Sequence, residues 1–196
     1  MPTNDLLHFL RRWFADPARI GAIAPSGRAL VHLMTREITP ATRRVIELGA
    51  GTGVFTRALL ARGIHEADLV LVEQDAAFAA LLRERFPRAQ VLRMDAAGLG
   101  DWLRARRLRA GAVVSGLPLL NFAPARVDAI LEGAFDGLRE DGAFFQFTYG
   151  VRCPVPAHAL DRLDLRSTRI GFAVRNLPPA TVHRIRRRSP GHAGGA

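Results

Sequence analysis

The sequence contains no lysine and only one cysteine among its 196 residues. The single cysteine, Cys153, excludes an internal disulfide framework and a zinc site built on several cysteines. No apolar run reaches the roughly 18 to 20 residues that a membrane-spanning helix needs, and the N-terminus shows no signal-peptide pattern. The six histidines lack a spacing typical of metal ligands. We therefore expect a soluble protein of a reducing compartment, without a metal.

Basic residues outnumber acidic ones, 28 to 18, which gives a net charge of +10. All 28 basic residues are arginine. Apolar residues make up 48% of the chain, which is typical of a folded domain rather than a disordered one. Residues 29–149 are nearly neutral, whereas residues 150–196 carry nine arginines and two aspartates. This distribution favours an anionic partner for the basic end, the alternative being a solvated arginine-rich tail.

Short apolar runs alternate with segments of helical spacing through the middle of the chain. Strand, helix and strand in repetition predict a parallel sheet covered by helices on both faces. The predicted strands are Val45–Leu48, Leu69–Val72, Val91–Arg93, Ala112–Ser115 and Phe144–Thr148. The predicted helices are Val54–Arg62, Ala76–Arg85, Leu99–Arg107 and Arg126–Leu138.

The pattern changes after Tyr149. Two β-rich runs, Ser167–Val174 and Thr181–Arg187, are joined by the turn-forming residues Asn176-Leu177-Pro178-Pro179 and predict an antiparallel end to the sheet. We expect a three-layer α/β sandwich over residues 40–188, preceded by helices within residues 1–39. Residues 189–196 are rich in glycine and predict a disordered tail.

Two helices are predicted before the first strand. Ser26 is a candidate N-cap for the second of them. The first, Asp5–Phe14, places Trp13 and Phe14 on an apolar face and Arg11 and Arg12 on the other side. This arrangement is typical of a helix lying in a membrane interface, although an amphipathic helix can equally cover its own domain.

The most specific local motif is Glu47-Leu48-Gly49-Ala50-Gly51-Thr52-Gly53, which ends the first predicted strand. Glycines allow a sharp turn and the close approach of backbone N–H groups to a ligand at the carboxyl end of the strands. The dinucleotide fingerprint needs a sixth-place glycine, where this chain has Val54. Because Glu47 would repel a phosphate and suits an ammonium group, the motif favours S-adenosylmethionine (SAM).

Two further acids end the second and third predicted strands. Glu73, followed by Gln74, is placed to accept both ribose hydroxyls of SAM. Asp95, followed by Ala96, is placed to bind the adenine amino group. Each also has an ordinary explanation, since Glu73 can be a surface acid and Asp95 a helix cap. Acids at three successive strand ends together favour SAM binding, with Ser26 and Ser115 as weaker candidates near the cofactor.

Residues 40–150 resemble a class I methyltransferase, and the chain more narrowly resembles the bacterial phospholipid N-methyltransferases that act on phosphatidylethanolamine. The resemblance rests on the glycine motif and on two more particular stretches, Ile23-Ala24-Pro25-Ser26-Gly27-Arg28-Ala29-Leu30 and Ser115-Gly116-Leu117-Pro118-Leu119-Leu120-Asn121-Phe122. It implies a seven-stranded sheet whose last strands form an antiparallel hairpin. The related ribosomal-RNA adenine dimethyltransferases have Asn or Asp first in the last stretch and an aromatic residue after the proline. Ser115 and Leu119 stand there instead, which counts against a nucleobase substrate.

Methyl transfer from SAM to an amine requires that the amine nitrogen is aligned with the activated methyl group and has lost its proton. Backbone carbonyls at Gly116 and Leu117 are candidates for holding the amine, although Gly116-Leu117-Pro118 can also be only a turn. Tyr149, the single tyrosine, is a candidate for orienting or deprotonating the amine, or it simply packs. Arg152 is a candidate partner for a lipid phosphate, or it is solvated.

We therefore predict methyl transfer from SAM to phosphatidylethanolamine, and onward through its mono- and dimethyl derivatives towards phosphatidylcholine. The expected protein is a monomer in the bacterial cytoplasm, attached peripherally to the anionic surface of the cytoplasmic membrane. A nucleic-acid methyltransferase and a non-catalytic, SAM-binding membrane protein are the alternatives.

Overall fold

The computed structural model describes residues 25–173 and 179–188, with the backbone alone at residues 25 and 26. Seven strands form one sheet in the order β3-β2-β1-β4-β5-β7-β6. The strands are β1 Val45–Leu48, β2 Leu69–Glu73, β3 Gln90–Arg93, β4 Ala110–Ser115, β5 Leu138–Thr148, β6 Leu165–Ala173 and β7 Ala180–Arg187. Neighbouring strands from β3 to β5 are parallel, and β7 runs antiparallel to both β5 and β6. The predicted fold class is confirmed.

Helices cover both faces of this sheet. They are α1 Pro25–Thr35, α2 Val54–Ala61, α3 Ala76–Arg85, α4 Leu99–Arg106, α5 Pro124–Gly137 and α6 Ala157–Arg162. One buried apolar cluster joins α1, α2 and α3 to the first face, and a second joins α4, α5 and α6 to the other face. Every residue of β1 is buried, because a central strand between two helical layers has no solvent-facing side.

Two glycines bring α4 and α5 into backbone contact on the second face. A Cβ added to Gly133 would lie 2.7 Å from the nitrogen of Gly100 and 3.0 Å from its Cα. No side chain fits between the two helices at this point. The backbones of α4 and α5 therefore pack directly against each other on this face of the sheet.

The strand order places a topological switch point at β1, which pairs with β2 on one side and β4 on the other. The connections that leave β1 and β4 diverge there, and a crevice opens at the carboxyl ends of the strands. The glycine motif follows β1, and the stretch from Ser115 to Phe122 closes β4. Both predicted motifs therefore lie at this edge of the sheet.

Most predicted elements end within two residues of the observed ones, but three differ. β5 begins at Leu138, six residues before its predicted start, because Leu138 pairs with Ala110 of β4. The register between the two strands then shifts, and Ala112 pairs with Ala143. The charged residues 139–141, of which Glu140 and Asp141 are exposed, conceal this extension in the sequence. The prediction of Ser26 as an N-cap is wrong, because α1 begins at Pro25 and proline suits a first helical turn. Helix α6 was not predicted.

Several predictions fall outside the described residues. These are the helix at residues 5–14 with Arg11, Arg12, Trp13 and Phe14, the turn at residues 176–178, and the tail at 189–196. The side chain of Ser26 is also outside them. Within the described ranges, no helix is long and apolar enough to cross a membrane.

Candidate cofactor and acceptor site

The glycine motif forms a tight loop pinned to the end of β2. The N–H groups of Gly49 and Ala50 donate to the carbonyl of Val72 at 2.8 and 3.3 Å. Gly49, Gly51 and Gly53 all have positive φ, at 68°, 53° and 79°. A Cβ at Gly53 would lie 2.4 Å from the Phe86 ring, so this position requires glycine for space as well as for conformation.

Glu47 lies fully buried beneath this loop. The hydroxyl of Thr56 donates to its Oε2 at 2.5 Å, whereas Oε1 has no hydrogen-bond partner among the described residues. Burial raises the pKa of Glu47 to about 8, with Thr56 and Arg57 opposing the rise and Glu73 adding to it. A buried carboxyl with an unused oxygen requires a partner, and a cationic group would both satisfy that oxygen and favour the charged form.

Glu73 ties the loop to the second strand. Its Oε2 accepts from the Gly51 N–H at 2.9 Å, and its Oε1 accepts from the Asp75 N–H at 2.8 Å. Asp75 in turn caps α3 through the N–H groups of Ala77 and Phe78. These bonds fix the half-buried carboxylate of Glu73 at the mouth of the crevice. Each oxygen retains a further lone pair for a ligand hydroxyl.

Both carboxylate oxygens of Asp95 have partners within the protein. Its Oδ1 accepts from the Ala97 N–H at 3.0 Å, and its Oδ2 pairs with Arg126 at 3.0 Å. Arg126 also donates to Gln74 at 3.3 Å and stacks over Phe122 at 4.3 Å. The arginine joins two predicted cofactor residues to the loop after β4. Ala96 is buried at the start of the turn that follows Asp95.

Sequence reasoning missed Arg126. No local motif marks it, because it reaches Gln74 and Asp95 only when α5 folds back over the carboxyl ends of β2 and β3.

The stretch after β4 is tied directly to the glycine loop. The N–H of Gly116 donates to the Leu48 carbonyl at 2.8 Å, and a Cβ at Gly116 would lie 3.0 Å from the Gly49 carbonyl. Ser115 is fully buried, and its hydroxyl accepts from the Leu117 N–H at 3.4 Å. The predicted acceptor loop and the predicted cofactor loop are therefore in contact.

A buried glutamine that the sequence did not indicate holds this stretch from below. Gln146 on β5 donates through Nε2 to the carbonyls of Leu117 and Phe147 at 3.0 and 2.9 Å. The Leu117 carbonyl also accepts from the Leu119 N–H at 3.0 Å. Because both lone pairs of that carbonyl are used, it has no capacity left to hold an amine as well.

Tyr149 and the residues around it line a pocket beside the loop. The pocket has an empty volume of about 330 Å³, including space open to solvent. It is lined by Leu117, Pro118, Leu119, Leu120, Asn121, Phe147, Thr148, Tyr149 and Pro154. Burial raises the pKa of Tyr149 well above its ordinary value. Its hydroxyl therefore stays protonated near neutral pH and can orient an amine but not take its proton.

Arg152 lies exposed beyond the pocket, next to Val151. Val151 is 66% exposed and Leu120, on the pocket wall, is 65% exposed. Leu120 thus places a large apolar side chain of the pocket lining in solvent.

The chain matches no protein-family model. It is 32% identical over 185 residues to the ornithine lipid N-methyltransferase of Singulisphaera acidiphila, covering 92% of this chain and 95% of the relative. The chain belongs to the lipid N-methyltransferase family of class I SAM-dependent methyltransferases. A second relative, ribosomal RNA small subunit methyltransferase A of a Synechococcus strain, is 37% identical over 99 residues, or 49% of this chain and 30% of that protein.

Solved structures with little sequence identity to this lipid N-methyltransferase have the same fold. A TehB-like SAM-dependent methyltransferase from Corynebacterium glutamicum aligns with a TM-score of 0.65 and 13% identity, over 95% of this chain and all of that chain. The glycopeptide N-methyltransferase MtfA, complexed with SAM, aligns with a TM-score of 0.62 and 14% identity, over 82% and 93% of the two chains. The prediction of SAM as cofactor is confirmed.

The residues present fit this cofactor. The Oε1 of Glu47, which has no hydrogen-bond partner among the described residues, suits the ammonium of SAM. Glu73 lies at the adjoining strand end, where a ribose would bind. Gln74, Asp95 and Ala96 continue the same edge and would hold the adenine.

Proposed function

We propose that this chain transfers methyl groups from SAM to the primary amine of a membrane lipid, with phosphatidylethanolamine as the expected acceptor. The mono- and dimethyl lipids would follow it as acceptors, towards phosphatidylcholine. The observation that carries the lipid assignment is the 32% identity to an ornithine lipid N-methyltransferase across nearly the whole of both chains. That relative also makes ornithine lipid the second candidate acceptor.

The residues of the site divide the work. When bound, SAM supplies a methyl group activated by a positively charged sulfur. Glu47 would hold the ammonium of SAM, Glu73 the ribose hydroxyls and Asp95 the adenine amino group. On the acceptor side, Gly116 and Tyr149 would orient the amine. None of the described residues that line the pocket is an acid, so the proposal assigns the amine's proton to water.

Peripheral attachment to the anionic surface of a bacterial cytoplasmic membrane is part of the proposal. It is supported by the exposure of Leu120 in the pocket lining, and of Val151 and Arg152, which follow the pocket residue Tyr149 in the chain. Arginines near an anionic bilayer each contribute on the order of 1 kcal/mol to binding. Trp13 and Phe14, with Arg11 and Arg12, would add a second attachment site in the N-terminal segment.

The ribosomal RNA relative suggests a different substrate, but its similarity extends over only half of this chain. Ser115 and Leu119 also lack the amide and the aromatic ring that would grip and stack a base. RNA is therefore an outcome to be tested rather than the proposed substrate.

The test uses methyl-labelled SAM with three acceptors in parallel: phosphatidylethanolamine vesicles, ornithine lipid vesicles, both with some anionic lipid, and bulk RNA. Label in a methylated lipid, resolved by thin-layer chromatography, is the expected result. Label in RNA alone, or in none of the three, would overturn the proposal.

A Glu47→Ala variant serves as the control. We expect it to lose SAM binding and turnover while still sedimenting with vesicles. Turnover that survives the substitution would refute the role assigned to Glu47.

A further inference from the structure

The pocket beside the loop after β4 contains two polar side chains whose hydrogen-bonding capacity is unused. The Nδ2 of Asn121 and the Oγ1 of Thr148 are buried and have no hydrogen-bond partner among the described residues. Both side chains line the pocket, and Thr148 is only 4% exposed. A buried donor without a partner destabilises the fold, so its retention requires an explanation.

The rest of the pocket lining would strengthen whatever these two groups bind. The wall consists mainly of leucine, proline and phenylalanine side chains, and Asp and Glu are absent from the part of the lining that the structure describes. Hydrogen bonds are electrostatically stronger in such apolar surroundings than in water. An amide N–H can only donate, so the matching atom of the ligand is an acceptor oxygen. Without a nearby carboxylate to repel it, that oxygen can carry a negative charge.

The supports of the two donors are themselves well fixed. Thr148 ends β5, directly opposite Thr181 of β7 in the sheet register. Asn121 ends the short turn Leu119–Asn121, and its N–H donates to the Pro118 carbonyl at 2.9 Å. Gln146 holds the carbonyl of the neighbouring Leu117. Both residues therefore lie on backbone that hydrogen bonds hold in place, and both line the pocket.

We propose that Asn121 and Thr148 form a subsite for the negatively charged oxygen of the lipid headgroup, a few bonds away from the amine that is methylated. The inference rests on the proposed function and makes it more specific. Both candidate lipids present this chemistry, as a phosphate in phosphatidylethanolamine and as a carboxylate in an ornithine headgroup. The subsite thus selects zwitterionic amine lipids over simple amines, and it does so inside the pocket rather than through the exposed Arg152.

The experiment compares three acceptors in otherwise identical vesicles: phosphatidylethanolamine, ornithine lipid, and stearylamine, a primary amine without a negatively charged oxygen. The readout is the ratio of kcat/KM for each zwitterionic lipid to that for stearylamine. The variants are Asn121→Leu and Thr148→Val, which remove a donor at nearly constant volume. Thr181→Val is the matched control, because Thr181 is equally buried and unpartnered but does not line the pocket.

Hydrogen bonds to a charged group predict a loss of about 10-fold or more in the preference ratio for each variant. The KM for SAM and the rate with stearylamine should change little, which a merely structural defect would not allow. The Thr181→Val control should keep the wild-type ratio. Whichever zwitterionic lipid loses more identifies whether phosphate or carboxylate is the better fit.

Wild-type turnover with an unchanged ratio in both variants would overturn this subsite and leave the proposed function intact. Equal losses in the Thr181→Val control would overturn it as well. If the wild-type protein methylates none of the three amines, the proposed function fails and the subsite with it.

Discussion

The ionisation of Glu47 should dominate the pH dependence of folding stability in the cofactor-free protein. The pKa of the Glu47 carboxyl is near 4.5 in the unfolded chain, and burial raises this pKa to about 8 in the fold. Between these two values the folded protein keeps a proton that the unfolded chain has lost. Stability therefore falls as the pH rises through this window. At 1.36 kcal/mol for each pH unit, the total loss is roughly 5 kcal/mol by pH 8.

The Glu47→Gln variant isolates this contribution, since the amide has the shape of the protonated acid and can still accept the hydrogen bond from Thr56. Urea denaturation of both proteins from pH 5 to pH 9, followed by circular dichroism, gives their difference in unfolding free energy. We expect a small difference at pH 5 and a variant that is more stable by several kcal/mol at pH 8 to 9. Titrating groups that both proteins share cancel in this difference.

A difference that stays constant to within about 1 kcal/mol across this range would refute the reasoning. Glu47 would then ionise in the fold as easily as in water, and its unused oxygen would not indicate a missing cation. The same titration with saturating S-adenosylhomocysteine, which carries the same ammonium, supplies an internal check. Ligand stabilisation of the wild-type protein should grow from pH 5 to pH 8 and should be weak at both values in the variant.

Two further predictions concern the acceptor side and the core. Tyr149→Phe should lower turnover by about 10-fold or less and leave the shape of the pH–rate profile unchanged, because a hydroxyl whose pKa is raised by burial is not the base; the loss of one limb of that profile would contradict this. Gly133→Ala should destabilise the fold by about 2 to 3 kcal/mol in thermal denaturation, because the new Cβ would press on the backbone of Gly100. Gly150→Ala is its control, since a Cβ there would meet only Thr148 Oγ1 at 3.8 Å; equal effects would show that the backbone contact between α4 and α5 yields easily.

Local patterns in the sequence were sufficient to predict most of the fold. The helix Ala76–Arg85 has its predicted bounds because Asp75 caps it and Phe86 ends it within the same stretch of sequence. Glu47, Glu73 and Asp95 could be assigned to strand ends in the same way, since a buried apolar run followed by an acid is visible in one dimension. The hairpin of β6 and β7 followed from the change of pattern after Tyr149.

Other features depend on which strands become neighbours and were not predictable from local patterns. β5 starts at Leu138 because this residue pairs with Ala110, from which α5 separates it along the chain. Gln146 lies within the apolar run Phe144–Thr148, and its hold on the Leu117 carbonyl exists only because β4 and β5 pair. The reach of Arg126 to Asp95 similarly depends on how α5 packs. Such contacts arise from register, which a single sequence does not specify in advance.

The placement of unused polar atoms links the two halves of the site. Glu47 lies beneath the glycine loop on β1, while Thr148 and Asn121 lie in the pocket beside β5, and each has a buried atom without a partner among the residues described. A buried polar group without a hydrogen-bond partner destabilises the fold, and a ligand that supplies the partner removes that cost. The loop that contains Gly116 contacts both regions, packing on Gly49 on one side and lining the pocket at Leu117 on the other. A ligand that satisfies Glu47 would therefore stabilise the same backbone that shapes the acceptor pocket.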